Sequence, residues 1–225
     1  MLWRALGYLE SGFYIDIGAQ HPVNDSVSMA FYEKGWRGVH VEPVRKYAEL
    51  LAANRPDEAV LKVLISESPG SATFYEVEDT GLSTARRDIA LEHMSNGFSV
   101  REYQVKCMTL DQVFEQIGKR EIQWLKIDVE GYEKQVLRGW KLSRIRPWIV
   151  VVEATYPNTQ IDTFDEWEHL ILEKNYVLVY LDGLNRFYLH KSRLELKPAF
   201  VYPPNVFDRF TKWSGEKVSD QVKPN

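Results

Sequence analysis

Trp124-Leu125-Lys126-Ile127-Asp128-Val129-Glu130-Gly131-Tyr132-Glu133 is the stretch that decides the fold. Residues 122–127 are short, apolar and rich in strand formers, and 132–139 carry a helical spacing of apolar positions behind a glycine turn. A buried strand running at once into a helix is half of a βα unit. Lys126 and Asp128 are two residues apart and share a face of the strand, so two opposite charges enter an otherwise apolar unit. A buried Lys126–Asp128 ion pair is one reading of them. Glu130 and Glu133 also fit as acids that complement the dipole of the following helix.

Outward from this unit the same rhythm repeats. Phe13–Ile17 reads as a buried strand, followed by a helix over 25–34 with Asp25 or Ser26 as its N-cap and Gly35 as its stop. Arg37–Val41 is a second strand, 44–54 a helix, 59–65 a third strand, and 71–77 a further apolar run after the turn Ser68-Pro69-Gly70. Across 78–104 the strand rhythm stops and only a short helix over 86–94 is visible, which marks the segment as a lid or substrate loop. The rhythm returns with helix Leu110–Ile117, the unit already quoted, strand 148–152 and helix 164–174. Strands Tyr176–Leu181 and 186–190 flank Asp182-Gly183-Leu184-Asn185 and form a hairpin. The fold class is therefore α/β: a doubly wound, Rossmann-like sheet of seven strands, mostly parallel, with an antiparallel last strand.

Composition agrees with one domain over 1–225 and excludes several classes. The 225 residues are 44% hydrophobic and carry a formal charge of −4, with no surplus of Lys and Arg for tracking nucleic-acid phosphates. One cysteine, Cys107, cannot form an internal disulfide, which points to a reducing, cytoplasmic compartment. No apolar run approaches the roughly 20 residues of a membrane helix. The N-terminus lacks the pattern of a secretory signal. The first strand begins so early that little room is left for a preceding element, as in one domain excised from a longer chain. The polar tail over 214–225 is expected to be flexible.

In doubly wound sheets ligands sit beyond the carboxyl ends of the strands, so function is sought there. After the first strand, Asp16-Ile17-Gly18-Ala19-Gln20-His21-Pro22 offers a glycine turn that lets a ligand approach the backbone, but without the G-x-G-x-x-G spacing for a dinucleotide pyrophosphate. Val41-Glu42-Pro43 puts a carboxylate where it can accept both ribose hydroxyls. Ser66 and Glu67 follow the third strand, at the place where a nucleoside's adenine sits. Asp128 and Glu153 end the fourth and fifth strands.

Asp16-Ile17-Gly18-Ala19, Val41-Glu42-Pro43, Lys126-Ile127-Asp128-Val129-Glu130-Gly131 and Pro203-Pro204-Asn205-Val206-Phe207-Asp208 together resemble the FkbM-type methyltransferases, over nearly the whole chain from Phe13 to Phe210. The resemblance implies an S-adenosylmethionine-dependent O-methyltransferase acting on a hydroxyl of a sugar, glycan or other small polyhydroxy acceptor. It implies that Asp16, Gly18 and Ala19 line the methionine end of the cofactor, that Glu42 holds the ribose with Gln20 and Pro43 beside it, and that Ser66 and Glu67 lie near adenine. The family more often has Asn and a second Gly where this chain has Gln20, His21 and Pro22.

Methyl transfer needs alignment of donor and hydroxyl and a group to take the proton. Some related small-molecule methyltransferases hold a divalent ion at the ends of the fourth and fifth strands, which here would fall to Asp128 and Glu153, with oxygen ligands suited to magnesium. Asp128 could instead bind the cofactor's amino group, with Lys126 as its charge partner. Of the five histidines, His40, His169 and His190 read as structural, whereas His21 in the first loop and His93 in the lid are the candidate bases. Arg86 and Arg87 are candidates for an anionic group on the acceptor. A nicotinamide-dependent oxidoreductase and a non-catalytic Rossmann-like binding module are the alternatives. The first wants the missing glycine fingerprint, and the second would have lost the cofactor loop.

Overall fold

A computed structural model describes residues 1–208. The tail read as flexible, 214–225, lies outside the described residues. Seven strands form the central sheet: β1 (Phe13–Ile17), β2 (Arg37–Val41), β3 (Ala59–Leu61), β7 (Trp124–Ile127), β8 (Ile149–Glu153), β9 (Tyr176–Leu181) and β10 (Asn185–His190). Their order is β3-β2-β1-β7-β8-β10-β9. β10 is antiparallel to both β8 and β9, and the pairings among β3, β2, β1, β7 and β8 are parallel. β1 lies at the switch point. In register, Asp16 stands between His40 of β2 and Lys126 of β7.

The central strands β1, β2, β7 and β8 are buried on both faces because helices cover both sides, which is why their sequences read as largely apolar runs. On one face Ile15, Ile17, Leu125, Ile127, Val150 and Val152 pack against α5 (Leu110–Ile117) and α6 (Glu133–Arg138) through Val113, Phe114, Val136 and Leu137. On the other, Tyr14 and Trp124 stack with ring centroids 4.6 Å apart and meet Phe31 of α2 (Met29–Glu33) and Leu6 of α1 (Leu2–Leu6). α5 is fixed by a capping box in which Thr109 Oγ1 accepts from Gln112 N and Gln112 Oε1 accepts from Thr109 N.

Five expectations are corrected. A five-residue helix, α1, precedes the first strand. The helix expected over 25–34 forms only over Met29–Glu33, because Asp25 takes a positive φ and the fully buried Arg55 of the segment after α3 (Arg45–Asn54) draws the 22–28 loop inward, donating to Ser26 Oγ and Ser28 Oγ at 2.8 Å. The strand expected over 59–65 is two strands. β3 ends at Leu61, Val63 N turns back onto Leu61 O at 3.0 Å, and β4 (Leu64–Ile65) joins a different sheet. That second sheet, β4-β6-β5, is built on the long hairpin of β5 (Gly70–Val77) and β6 (Val100–Met108). Residues 100–104 of the expected lid are therefore strand. The rest of it holds a strap over 79–86 and α4 (Arg87–Ser95). The helix expected over 164–174 is a 3-10 turn, Phe164–Glu166, followed by α7 (Glu168–Leu172).

Candidate active site

The site grows from the contact between the ends of β1 and β7. Gly18 has φ +76°, and a Cβ there would lie 1.7 Å from Asp128 O, so only glycine allows the two turns to meet. Asp128 N donates to Ile17 O at 3.1 Å, and Gly18 N to Val41 O at 3.0 Å, which lock the ends of three adjacent strands together.

Beside this junction lies a small cavity, partly open to solvent, to which the first two loops contribute Gly18, Gln20, Glu42 and Pro43. Glu42 is buried and accepts from Gln20 N at 2.8 Å and Val44 N at 2.7 Å. Burial raises its carboxyl to about 7 against those two hydrogen bonds. The opposite wall is apolar, from Val63, Leu64, Ile65, Phe74 and Tyr47, and Thr80, Gly81 and Ser83 of the strap close it. Sequence reasoning missed this wall, since nothing in such residues marks them apart from any core, whereas the strap falls within the 78–104 segment read as a lid or substrate loop. Asp16 and Ala19 are buried next to the cavity but do not line it. Ser66 and Glu67 lie away from it: Ser66 Oγ is 3.2 Å from Tyr132 Oη, and Glu67 pairs with Arg138 at 3.6 Å.

On the far side of the Gly18–Asp128 contact the strand-end acids converge. Lys126 Nζ lies 2.8 Å from Asp128 Oδ2 and 4.0 Å from Asp16 Oδ1. Burial alone would lower the Lys126 ammonium, but Asp128 and Asp16 outweigh it and the net shift is upward. Asp128, Glu130 and Glu153 each offer a carboxylate oxygen, all within 4.8 Å of one another. Glu153 is only 7% exposed and its Oε2 has no hydrogen-bond partner. Burial first, then the charges of Asp128 and Glu130, push its carboxyl far up, and burial and Asp128 push Glu130 the same way.

Glu130 reaches this cluster because the turn after β7 is held open. Glu130 has φ +53° and Gly131 +87°, and Glu133 Oε1 accepts from Val129 N at 3.2 Å and Gly131 N at 3.1 Å. Glu133, in the first turn of α6, thus reaches back to tie the preceding turn, while Glu130 joins the acids instead. Neither candidate histidine contacts the cluster among the described hydrogen bonds. His21 Nδ1 accepts from Val23 N and Asn24 N at 3.1 and 2.9 Å and so ties the first loop. His93 is buried on the inner face of α4 with its ring edge-on to Phe98, and burial lowers its pKa. Arg86 pairs with Asp88. His40 Nε2 is 2.7 Å from Glu58 Oε2 in the core, the structural role expected of it.

Among the described residues, no helix is long and apolar enough to cross a membrane. No curated protein matches the chain. A solved structure of methyltransferase FkbM from Methylobacillus flagellatus KT matches with a TM-score of 0.51 and 15% identity, over 84% of this chain and 48% of that one. The chain thus spans about half the length of that structure, and the likeness is one of fold. The model of the FkbM methyltransferase domain matches residues 16–178, which include the Gly18 turn, Glu42 and the whole acid cluster. With most of its length and all the strand-end groups inside that match, the chain belongs to the FkbM methyltransferase family.

Proposed function

We propose that the protein is an S-adenosylmethionine-dependent O-methyltransferase acting on a hydroxyl of a sugar, glycan or other small polyhydroxy acceptor. The observation that carries this reading is Glu42, a buried carboxylate at the end of β2 on the wall of a cavity otherwise largely apolar. A carboxylate has lone pairs left after accepting two backbone N–H groups, and the two hydroxyls of a ribose can fill them. The apolar wall of Val63 and Phe74 suits adenine. The excess of acids over Lys126 at the other end suits a cationic sulfonium.

Bound in the cavity, S-adenosylmethionine would supply the methyl group: the acceptor oxygen's lone pair would form the new carbon–oxygen bond while the electrons of the broken carbon–sulfur bond would stay on sulfur. The hydroxyl proton passes to the Asp128 carboxylate, which Lys126 holds in place. His93 and His21 are the other candidate bases, and both would have to leave their present partners or packing to act. Asp128 and Glu153, with Glu130, also fit a divalent cation such as magnesium, since one carboxylate oxygen from each converges within 4.8 Å. Such an ion would lower the hydroxyl's pKa. Cys107, buried and unpaired, fits a reducing cytoplasm.

Calorimetry tests the reading. S-adenosylmethionine should bind and NAD at the same concentration should not, and Glu42→Ala should weaken cofactor binding by about 2 kcal/mol, the worth of hydrogen bonds to a charged acceptor. Binding of NAD in preference would move the protein to the oxidoreductases. Failure to bind either would leave a non-catalytic module.

A further inference from the structure

One continuous segment touches both halves of the site. Its first part lies on the cavity: Lys46 Nζ meets Asp79 Oδ1 at 2.9 Å, Tyr47 Oη donates to Thr80 O at 3.4 Å, and Thr80, Gly81 and Ser83 line the wall. Its second part, Arg86 and α4, lines none of that cavity and lies instead against the turn that carries Glu130 and against the loop after β8. Ile89 Cδ1 is 2.5 Å from where a Cβ on Gly131 would stand, Arg86 is 5.9 Å from the Tyr156 ring, and Tyr156 Oη donates to Glu92 Oε2 at 2.8 Å. Tyr156 lies three residues beyond Glu153 at the end of β8.

Between the two parts stands Thr84, which is 0% exposed. Its backbone pairs both ways with Tyr75 of β5 at 2.9 and 3.0 Å. Its hydroxyl donates to Glu130 O at 2.8 Å and accepts from Arg86 N at 3.1 Å. One side chain therefore joins the strap, the first turn of α4 and the turn that presents Glu130. A hydroxyl so placed has no freedom to adjust alone. If the strap moves to admit a ligand, the Glu130 turn and α4 are drawn with it.

We propose that Thr84 is a positioning residue that couples occupation of the cofactor cavity to the acceptor side of the site, so that seating the strap on the cofactor sets α4 and Glu130 for the acceptor. This rests on the reading of the cavity as a cofactor site. Coupling of this kind requires that the ligand favour one arrangement of the strap, and the contacts of Thr80, Gly81 and Ser83 with the cavity supply that difference.

Hydrogen exchange read by mass spectrometry on the full chain, with and without S-adenosylhomocysteine, tests it. In the wild type the ligand should slow exchange at 79–83 and also, by at least fivefold, at 86–95, which it does not touch. In Thr84→Val the effect at 79–83 should persist and that at 86–95 should fall by about fivefold, the weight of one buried hydrogen bond. Thr84→Ser should restore it. Protection that stops at 83 in the wild type, or an unchanged pattern in Thr84→Val, overturns the proposal. Should Thr84→Val not fold, Thr84→Ala removes the same hydroxyl with a smaller side chain. It should lose the ligand's effect at 86–95 in the same way, and an unchanged effect would again overturn the coupling. Calorimetry on the same samples separates the two failures. Absence of binding refutes the cofactor site itself, while binding without protection of α4 refutes only the coupling.

Discussion

Glu133→Gln should stabilise the protein at pH 8 and leave it nearly unchanged at pH 4. Glu133 is 2% exposed, and burial, opposed by its own hydrogen bonds and reinforced by Asp128, raises its carboxyl to about 7 from an ordinary 4.5. The folded state therefore binds more protons than the unfolded state between those two values, and stability falls as pH rises through that window. Each pKa unit is worth 1.36 kcal/mol, so the ionised carboxylate costs on the order of 3 kcal/mol above pH 7. Glutamine removes that cost and keeps the one atom the turn needs, since Oε1 alone accepts from Val129 N and Gly131 N. Urea unfolding of both proteins from pH 4 to 8, with chelator present, measures the difference directly. Glu42, Glu130 and Glu153 give slopes of the same sign, but they remain in the variant and drop out of the comparison to first order. A variant whose stability runs parallel to the wild type across the whole range, or falls below it at pH 8, would show that Glu133 is not a strained charge.

Gly18→Ala should lower stability by about 3 kcal/mol, from about 1–2 for an L-residue held at positive φ and the rest from forcing Asp128 O away from a Cβ 1.7 Å distant, and should abolish cofactor binding. Denaturant unfolding and calorimetry check both parts, and a variant within 0.5 kcal/mol that still binds, at roughly the limit for neutral surface changes, would remove the junction from the site. Asp128→Asn should reduce methyl transfer at least about 100-fold, the low end for loss of a general base, with cofactor affinity much less affected. Near-normal turnover in that variant would return Asp128 to a structural pair with Lys126. If a divalent ion joins Asp128 and Glu153, chelator should stop turnover and magnesium restore it, while turnover indifferent to chelator would leave the proton with Asp128 or a histidine.

The parts of this protein that the sequence reveals are those fixed by local chemistry, and the parts it hides are those fixed by distant contacts. β1, β2, β7 and β8 stand out because strands buried on both faces must be apolar throughout, and the acids that end them stand out by contrast. The same uniformity hides the break at Lys62, since Val60 to Ile65 would read alike in one strand or two. That break puts Val63, Leu64 and Ile65, rather than Ser66 and Glu67, on the cavity wall. β6 is hidden for the opposite reason. Arg101, Glu102 and Gln104 face solvent, and their pairing partners in β5 are 25 to 31 residues away, so only the folded hairpin shows them as strand. The shortened α2 follows likewise from Arg55, about 30 positions downstream of the loop it gathers. The acid cluster lies between these cases. Its strand-end members are legible from topology, but Glu130 enters only because Glu133 and Gly131 hold its backbone at positive φ, a conformation that turns a helix-capping acid toward Asp128 and Glu153.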